Sequence, residues 1–101
     1  MYEWDDRKNH ANRHKHGIDF ADAARIFEAS VPVFEAEDRR RNYGEPRIRA
    51  IGMCAEDLLY VVYTPRGDTR RIISARRASR AEERLYHTHL QRRTQTSGEP
   101  D

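Results

Sequence analysis

Leu58-Leu59-Tyr60-Val61-Val62-Tyr63-Thr64-Pro65-Arg66-Gly67-Asp68-Thr69-Arg70-Arg71-Ile72-Ile73-Ser74-Ala75-Arg76-Arg77 reads as two strands joined by a turn. Six residues that are apolar on both alternating sides suit a central strand covered on two faces. Thr64 to Asp68 carries the turn, because Pro65 fixes one corner and Gly67 accepts a positive φ. The return strand, Thr69 to Arg76, is then antiparallel to the first. Simple alternation places Arg70, Ile72, Ser74 and Arg76 on one side of it, and Arg71, Ile73, Ala75 and Arg77 on the other.

Two more strand-like runs precede this hairpin, Val31 to Phe34 and Arg47 to Met53, and Pro32 makes the earlier one an edge strand or a late-starting one. Upstream, Tyr2 to Trp4 is a short strand-like entry. Asp5 caps a helix running to about His16, stopped by Gly17, with Lys15 and His16 in its last turn. Asp19 caps a second helix that ends near Glu28 to Ser30, with Phe20, Ala23, Ala24 and Phe27 as its apolar stripe. After the hairpin, Ser79-Arg80-Ala81-Glu82 is a capping box that opens a third helix, whose inner face draws on Leu85, Tyr86 and His89 or Leu90. The expected class is therefore α+β: a short N-terminal strand, two helices, a four-stranded antiparallel sheet and a C-terminal helix. We expect one domain over residues 1–93 and a disordered tail over 94–101, which has no large apolar residue.

The 101 residues leave room for one small core and exclude a cofactor domain joined to a substrate domain. The formal charge of +2 hides an asymmetry: residues 1–38 carry 5 basic and 9 acidic side chains, and residues 39–93 carry 14 and 6. This places the partner-facing charge in the second part. Of the 19 basic residues 17 are Arg, whose planar fork suits bidentate contact with phosphate. No apolar run approaches the roughly 20 residues of a membrane span, and no secretory leader is evident, so a cytoplasmic location is expected. The single cysteine, Cys54, reads as a buried strand residue.

Arg47, Arg49, Arg66, Arg71, Arg76 and Arg77, interleaved with Tyr60 and Tyr63, are what a phosphate-backbone site with base stacking requires. The competing structural reading is that they guard strand ends and pair with carboxylates. His10 and His14 are spaced i, i+4, but the spacing and ligand count do not make a metal site, and none is expected. No phosphate loop, hydrolase triad or paired-carboxylate motif stands out, and no cofactor is expected.

Tyr2-Glu3-Trp4-Asp5, Lys8, Asn12, Lys15-His16-Gly17, Phe20, Ala23-Ala24, Tyr43-Gly44-Glu45-Pro46-Arg47, Ile51-Gly52, Val61-Val62-Tyr63-Thr64, Arg66-Gly67, Arg71-Ile72-Ile73-Ser74-Ala75-Arg76, and Glu83 with Tyr86 together resemble the BrnT toxins of type II toxin-antitoxin systems. That resemblance spans residues 2–88. It implies a RelE-like fold, ribonuclease activity that arrests growth, and a BrnA-like antitoxin that neutralises the toxin in a heterotetramer and binds operator DNA. A metal-free ribonuclease of this sort drives the 2′-oxygen of RNA onto the adjacent phosphorus, which calls for a base, an acid and cations on the phosphorane. Arg76, Arg71 and Arg66 are the candidate cations. His16 is the candidate proton carrier, with Glu45 and Tyr86 as alternatives. Arg47, Arg49, Arg77, Lys15 and Tyr63 are candidate RNA contacts. For His16 a helix-end cap, and for Tyr86 a core position, are the open alternatives. A non-enzymatic module docking an acidic protein or nucleic acid through the same sheet stands as the second reading, and DNA binding by the chain alone as a third.

Overall fold

Local capping sets the helices. In the computed structural model, which describes residues 1–97 and side chains as far as Arg92, Asp5 accepts from the backbone N–H of Arg7 at 2.8 Å and of Lys8 at 3.2 Å, opening α1 (Asp6–His16). Gly17, at φ 73°, closes it by donating to the Arg13 carbonyl. Asp19 caps α2 (Phe20–Ala24) through the Ala21 N–H. This helix tightens into a 3-10 turn over Arg25–Phe27 rather than continuing to Ser30. The capping box at the third helix is complete: Ser79 N–H donates to Glu82 Oε1 at 2.8 Å and Glu82 N–H to Ser79 Oγ at 3.2 Å. That helix, α3, spans Arg80–Ser97, so it extends four residues into the segment expected as a tail; the rest of that segment, residues 98–101, lies outside the described residues.

The strands are β1 (Tyr2–Glu3), β2 (Phe34–Glu37), β3 (Ile48–Cys54), β4 (Asp57–Arg66) and β5 (Thr69–Arg77), in the sheet order β1-β5-β4-β3-β2. The last four form the expected antiparallel set, with the β4–β5 hairpin at its heart. β1 adds a fifth strand, parallel to β5, with Tyr2 opposite Arg70 and Glu3 opposite Arg71. β2 starts at Phe34, at the end of the Val31–Phe34 run expected for it, and lies at the sheet edge. Pro32 has no N–H for a ladder, and its carbonyl is taken by the Tyr86 hydroxyl at 2.8 Å.

Phe20, Ala23 and Ile26 from the helical layer pack on Ala50, Leu59, Val61, Ile72 and Ala75 of the sheet to form the core. Gly52 permits this approach, since a Cβ there would stand 2.9 Å from Ile26 Cβ. β1 ends after two residues, and the side chain of buried Asn12 takes over where it stops. Its Nδ2 donates to the Ala75 carbonyl at 2.8 Å and to the Ile18 carbonyl at 2.9 Å, while its Oδ1 accepts from the Ala75 N–H at 3.1 Å. The carboxamide thus satisfies an open strand edge as a neighbouring peptide would. Cys54, at the end of β3, is half-buried rather than buried. No helix among the described residues is long and apolar enough to cross a membrane.

Candidate RNA-binding face

One face of the sheet lies under α1 and α2, and the other is open except where α3 borders it, with His89 against Phe34 and Glu82 on Arg76. A register shift decides which residues reach the open one. Val62 pairs with Ser74 but Tyr63 pairs with Ile72, so Ile73 is an extra residue in β5. This bulge reverses the alternation expected for the N-terminal third of the strand. Arg71, opposite Thr64, consequently shares the open face with Ser74 opposite Val62 and Arg76 opposite Tyr60. Arg70 is turned to the other side, where its guanidinium lies 4.2 Å from the Phe27 ring and 5.3 Å from that of Tyr63.

At one end of the open face is a groove of about 390 Å³. Phe34, Ala36, Ile51 and Val62 give it an apolar floor, and Arg40, Arg49, Tyr60, Arg76, Glu82 and Leu85 stand around it. Arg76 is held by a ring and a carboxylate, besides a bond from its Nη1 to the Arg77 carbonyl at 3.1 Å. Its guanidinium stacks 4.2 Å over the Tyr60 ring, and it makes a bidentate pair with Glu82 at 2.8 and 2.9 Å. Glu82 is the capping-box glutamate, so one carboxylate joins the start of α3 to the end of β5. Burial alone would raise the Glu82 pKa, but the Arg76 hydrogen bonds and the Ser79 N–H outweigh it and hold the value below the ordinary 4.5. The same bonds raise that of Arg76.

Arg40 is matched as closely. It clasps the buried Asp38 carboxylate through Nε and Nη2, both at 2.9 Å, and Tyr43 adds its hydroxyl at 3.1 Å. These bonds, led by those from the Arg40 side chain, hold Asp38 far below the usual carboxylate range. Arg49 has no such partner. Its Nε is buried without a hydrogen bond, and among the described residues it makes no ion pair or ring contact.

The opposite end of the open face, by the hairpin turn, gathers three of the expected residues. Arg71 bonds Glu3 at 2.7 Å, and Arg66 lies 3.7 Å from Glu3 and 3.6 Å from Glu45. Arg47 stacks 4.1 Å over Tyr43 at the entrance to β3, with its own Nε buried and unbonded. Arg77 pairs with Leu59 in the register, which turns it to the helical side, and lies 3.7 Å from Asp57.

The remaining expected residues stand apart from these groups. Tyr63 is buried on the helical side, edge-on to Phe27, with its hydroxyl bonded to Glu35. Burial, followed by that carboxylate, raises its pKa. Tyr86 is 1% exposed and binds Pro32, so it is a core residue that anchors α3. Lys15 is exposed and His16 half-buried in the last turn of α1. Asp5, the cap of that helix, feels the charge of Arg71, and His16 is 11 residues farther on, about 16 Å along the axis. His16 is therefore not gathered with Arg66, Arg71 and Glu45.

The division of charge into an acidic first part and a basic second part also changes in three dimensions. α1 itself carries Arg7, Lys8, Arg13 and Lys15 against Asp6 alone. Glu3 and Asp38 from the acidic part are spent on Arg71, Arg66 and Arg40 of the basic part. The Asp38–Arg40 clasp and the pairing of Glu82 with Arg76 were not foreseen from the sequence, which offered Tyr60 as a stacking ring and Glu82 only as part of a capping box. The signal for Glu82 was its place in a capping box six residues after a strand-end Arg.

Among the described residues no three His, Cys, Asp or Glu side chains converge as a metal site would require. Comparison with curated proteins finds no match. The family model for the BrnT ribonuclease toxin of type II toxin-antitoxin systems matches residues 4–82, a span that holds both strands of the hairpin, the groove arginines and the Glu82 carboxylate. On that match the chain belongs to the BrnT family of ribonuclease toxins, with RNA as substrate class and an antitoxin as partner.

Proposed function

We propose that RNA lies along the open face of the sheet and is cut without a metal, by attack of its own 2′-oxygen on the adjacent phosphorus. The observation that carries this reading is the β5 bulge, which sets Arg71 and Arg76 on one face, four β4 residues apart in register and so about 13 Å along the strand. That spacing distributes cations along a strand of RNA. Arg66 and Arg71 then stabilise charge on the phosphorane at the hairpin end, and Glu45, beside Arg66, takes or returns the proton. Arg76, presented by Tyr60, holds a neighbouring phosphate. Growth arrest follows from RNA loss, and a BrnA-like antitoxin neutralises the toxin in a heterotetramer and carries its contact with operator DNA.

The test is incubation of the purified, folded chain with RNA, with and without chelator. Cleavage is expected in both, with 2′,3′-cyclic phosphate and 5′-hydroxyl ends and no cut at a 2′-deoxy position. Intact RNA, or 5′-phosphate ends, overturns the reading. One observation favours the alternative of a non-catalytic docking surface: Arg76 and Arg40 are already matched by Glu82 and Asp38. Arg76→Ala separates the two, since loss of cleavage with antitoxin affinity retained supports catalysis, and loss of that affinity alone supports docking.

A further inference from the structure

Among the described residues, Arg49 is the one groove cation without a counter-charge, because Arg40 belongs to Asp38 and Arg76 to Glu82. Half-buried, with its Nε shut off from solvent and unbonded, it bears the cost of desolvation without the hydrogen bonds that usually offset it. Its two Nη groups are not among the buried unbonded atoms, and a ligand that accepts from both would supply hydrogen bonds that the protein does not. The surroundings say which kind of acceptor fits. Ile51, Val62 and Ala36 line the groove with Arg49 and give it an apolar floor, and a phosphate set against aliphatic side chains would lose its water without compensation. The flat face of a nucleobase meets no such penalty.

We propose that this groove is a base-reading subsite and that Arg49 selects guanine, donating its fork to O6 and N7 while the base lies on the apolar floor next to Tyr60. Guanine presents two acceptors side by side on that edge, whereas adenine replaces one by a donor and the pyrimidines offer no such pair. The inference rests on RNA being the ligand of the open face, and it names the base that face prefers. Arg49 is thus a specificity-determining residue, distinct from the Arg66–Arg71–Glu45 group at the other end.

Binding of labelled thymidine tetranucleotides carrying one guanine, adenine or cytosine tests it, because these probes lack the attacking 2′-hydroxyl. The wild-type chain should bind the guanine probe on the order of tenfold tighter than the adenine probe. Arg49→Ala, shown folded by circular dichroism, should bind all probes alike, and Arg49→Lys should keep only part of the guanine preference, because an ammonium can donate to O6 and N7 but lacks the fixed fork. Equal affinities in the wild type, or a guanine preference that survives in Arg49→Ala, overturns the proposal. Guanine preference in a chain that leaves RNA intact overturns the ribonuclease mechanism alone, and RNA cleavage without guanine preference overturns the subsite alone.

Discussion

Glu82→Gln is the substitution that most directly tests whether phosphate reaches Arg76. Gln keeps the volume and one acceptor for the Ser79 N–H, so the cap of α3 survives, but the charge opposing Arg76 is removed. The pair is neither surface nor core, with side-chain exposures of 37% for Arg76 and 20% for Glu82. Its worth should fall between an exposed pair and a buried one, and after allowance for solvent screening the loss of stability should be about 1 kcal/mol. For a domain of this size that is a fall in Tm of roughly 4–8 °C. RNA binding should move in the opposite direction. An unopposed cation on the face adds about one counterion-release event, which steepens the log K against log salt plot by about 0.7 for single strands and tightens binding at low salt. Fluorescence anisotropy with a 2′-deoxy oligonucleotide over a salt series measures both the slope and the affinity. The double variant Glu82→Gln with Arg76→Ala should return the slope to the wild-type value. An unchanged slope in Glu82→Gln, together with the expected fall in Tm, would show that the backbone of the nucleic acid passes elsewhere.

Three further outcomes follow from the fold. Asn12→Ala leaves the Ala75 N–H and C=O and the Ile18 C=O without partners and should cost about 3–5 kcal/mol in urea denaturation; Asn12→Asp, which sets an acceptor against two carbonyls, should be no better, and a loss below about 1 kcal/mol for either refutes the strand-substitute role. Ala55 sits at φ 55° in the β3–β4 turn, so Ala55→Gly should stabilise by about 0.5–1 kcal/mol, read as a higher urea midpoint. Glu82 and Asp38 have folded pKa values below their ordinary 4.5 and 3.8, so their stabilisation is full above those values and lost as pH falls through the folded ones. Tm should therefore hold steady from about pH 7 to pH 5 and decline below about pH 4.5, less steeply in Asp38→Asn and Glu82→Gln, and a flat profile to about pH 3 contradicts it.

What could be read from the residues was what is decided locally. Asp5, Gly17, Asp19 and the Ser79–Glu82 box act within four residues of themselves, and the β4–β5 turn is written in Pro65 and Gly67. Pro32 signalled an edge or late-starting strand, and β2 is both, but its extent to Glu37 was not legible, nor was the capture of the Pro32 carbonyl by Tyr86, 54 positions later. Nor was the match between cations and carboxylates: Arg71 finds Glu3 only because β1 is folded against β5. Tyr63 looked like a stacking residue from its neighbours, yet a strand with aromatic residues at Tyr60 and Tyr63 must point them to opposite sides, and the core took the second. The site emerged in outline as an arginine-rich strand, while the identity of its unopposed cation depended on tertiary pairing.

The extra residue in β5 behaves like a reading-frame shift written in side-chain direction rather than codons. Ile72 and Ile73 are both apolar, so either frame satisfies the core, and nothing in the strand itself announces where one frame yields to the other. Removing Ile73 would leave both faces as they are, since Ile72 would still lie opposite Tyr63, Ser74 opposite Val62 and Arg76 opposite Tyr60. Drawing Ile73 into the ladder would not: with the hairpin turn fixed, Ser74 would fall opposite Val61 and Arg76 opposite Leu59, carrying Arg76 toward the helices and turning Ala75 outward from the Asn12 contact. The same residues in that other frame would lose the face on which the two cations stand.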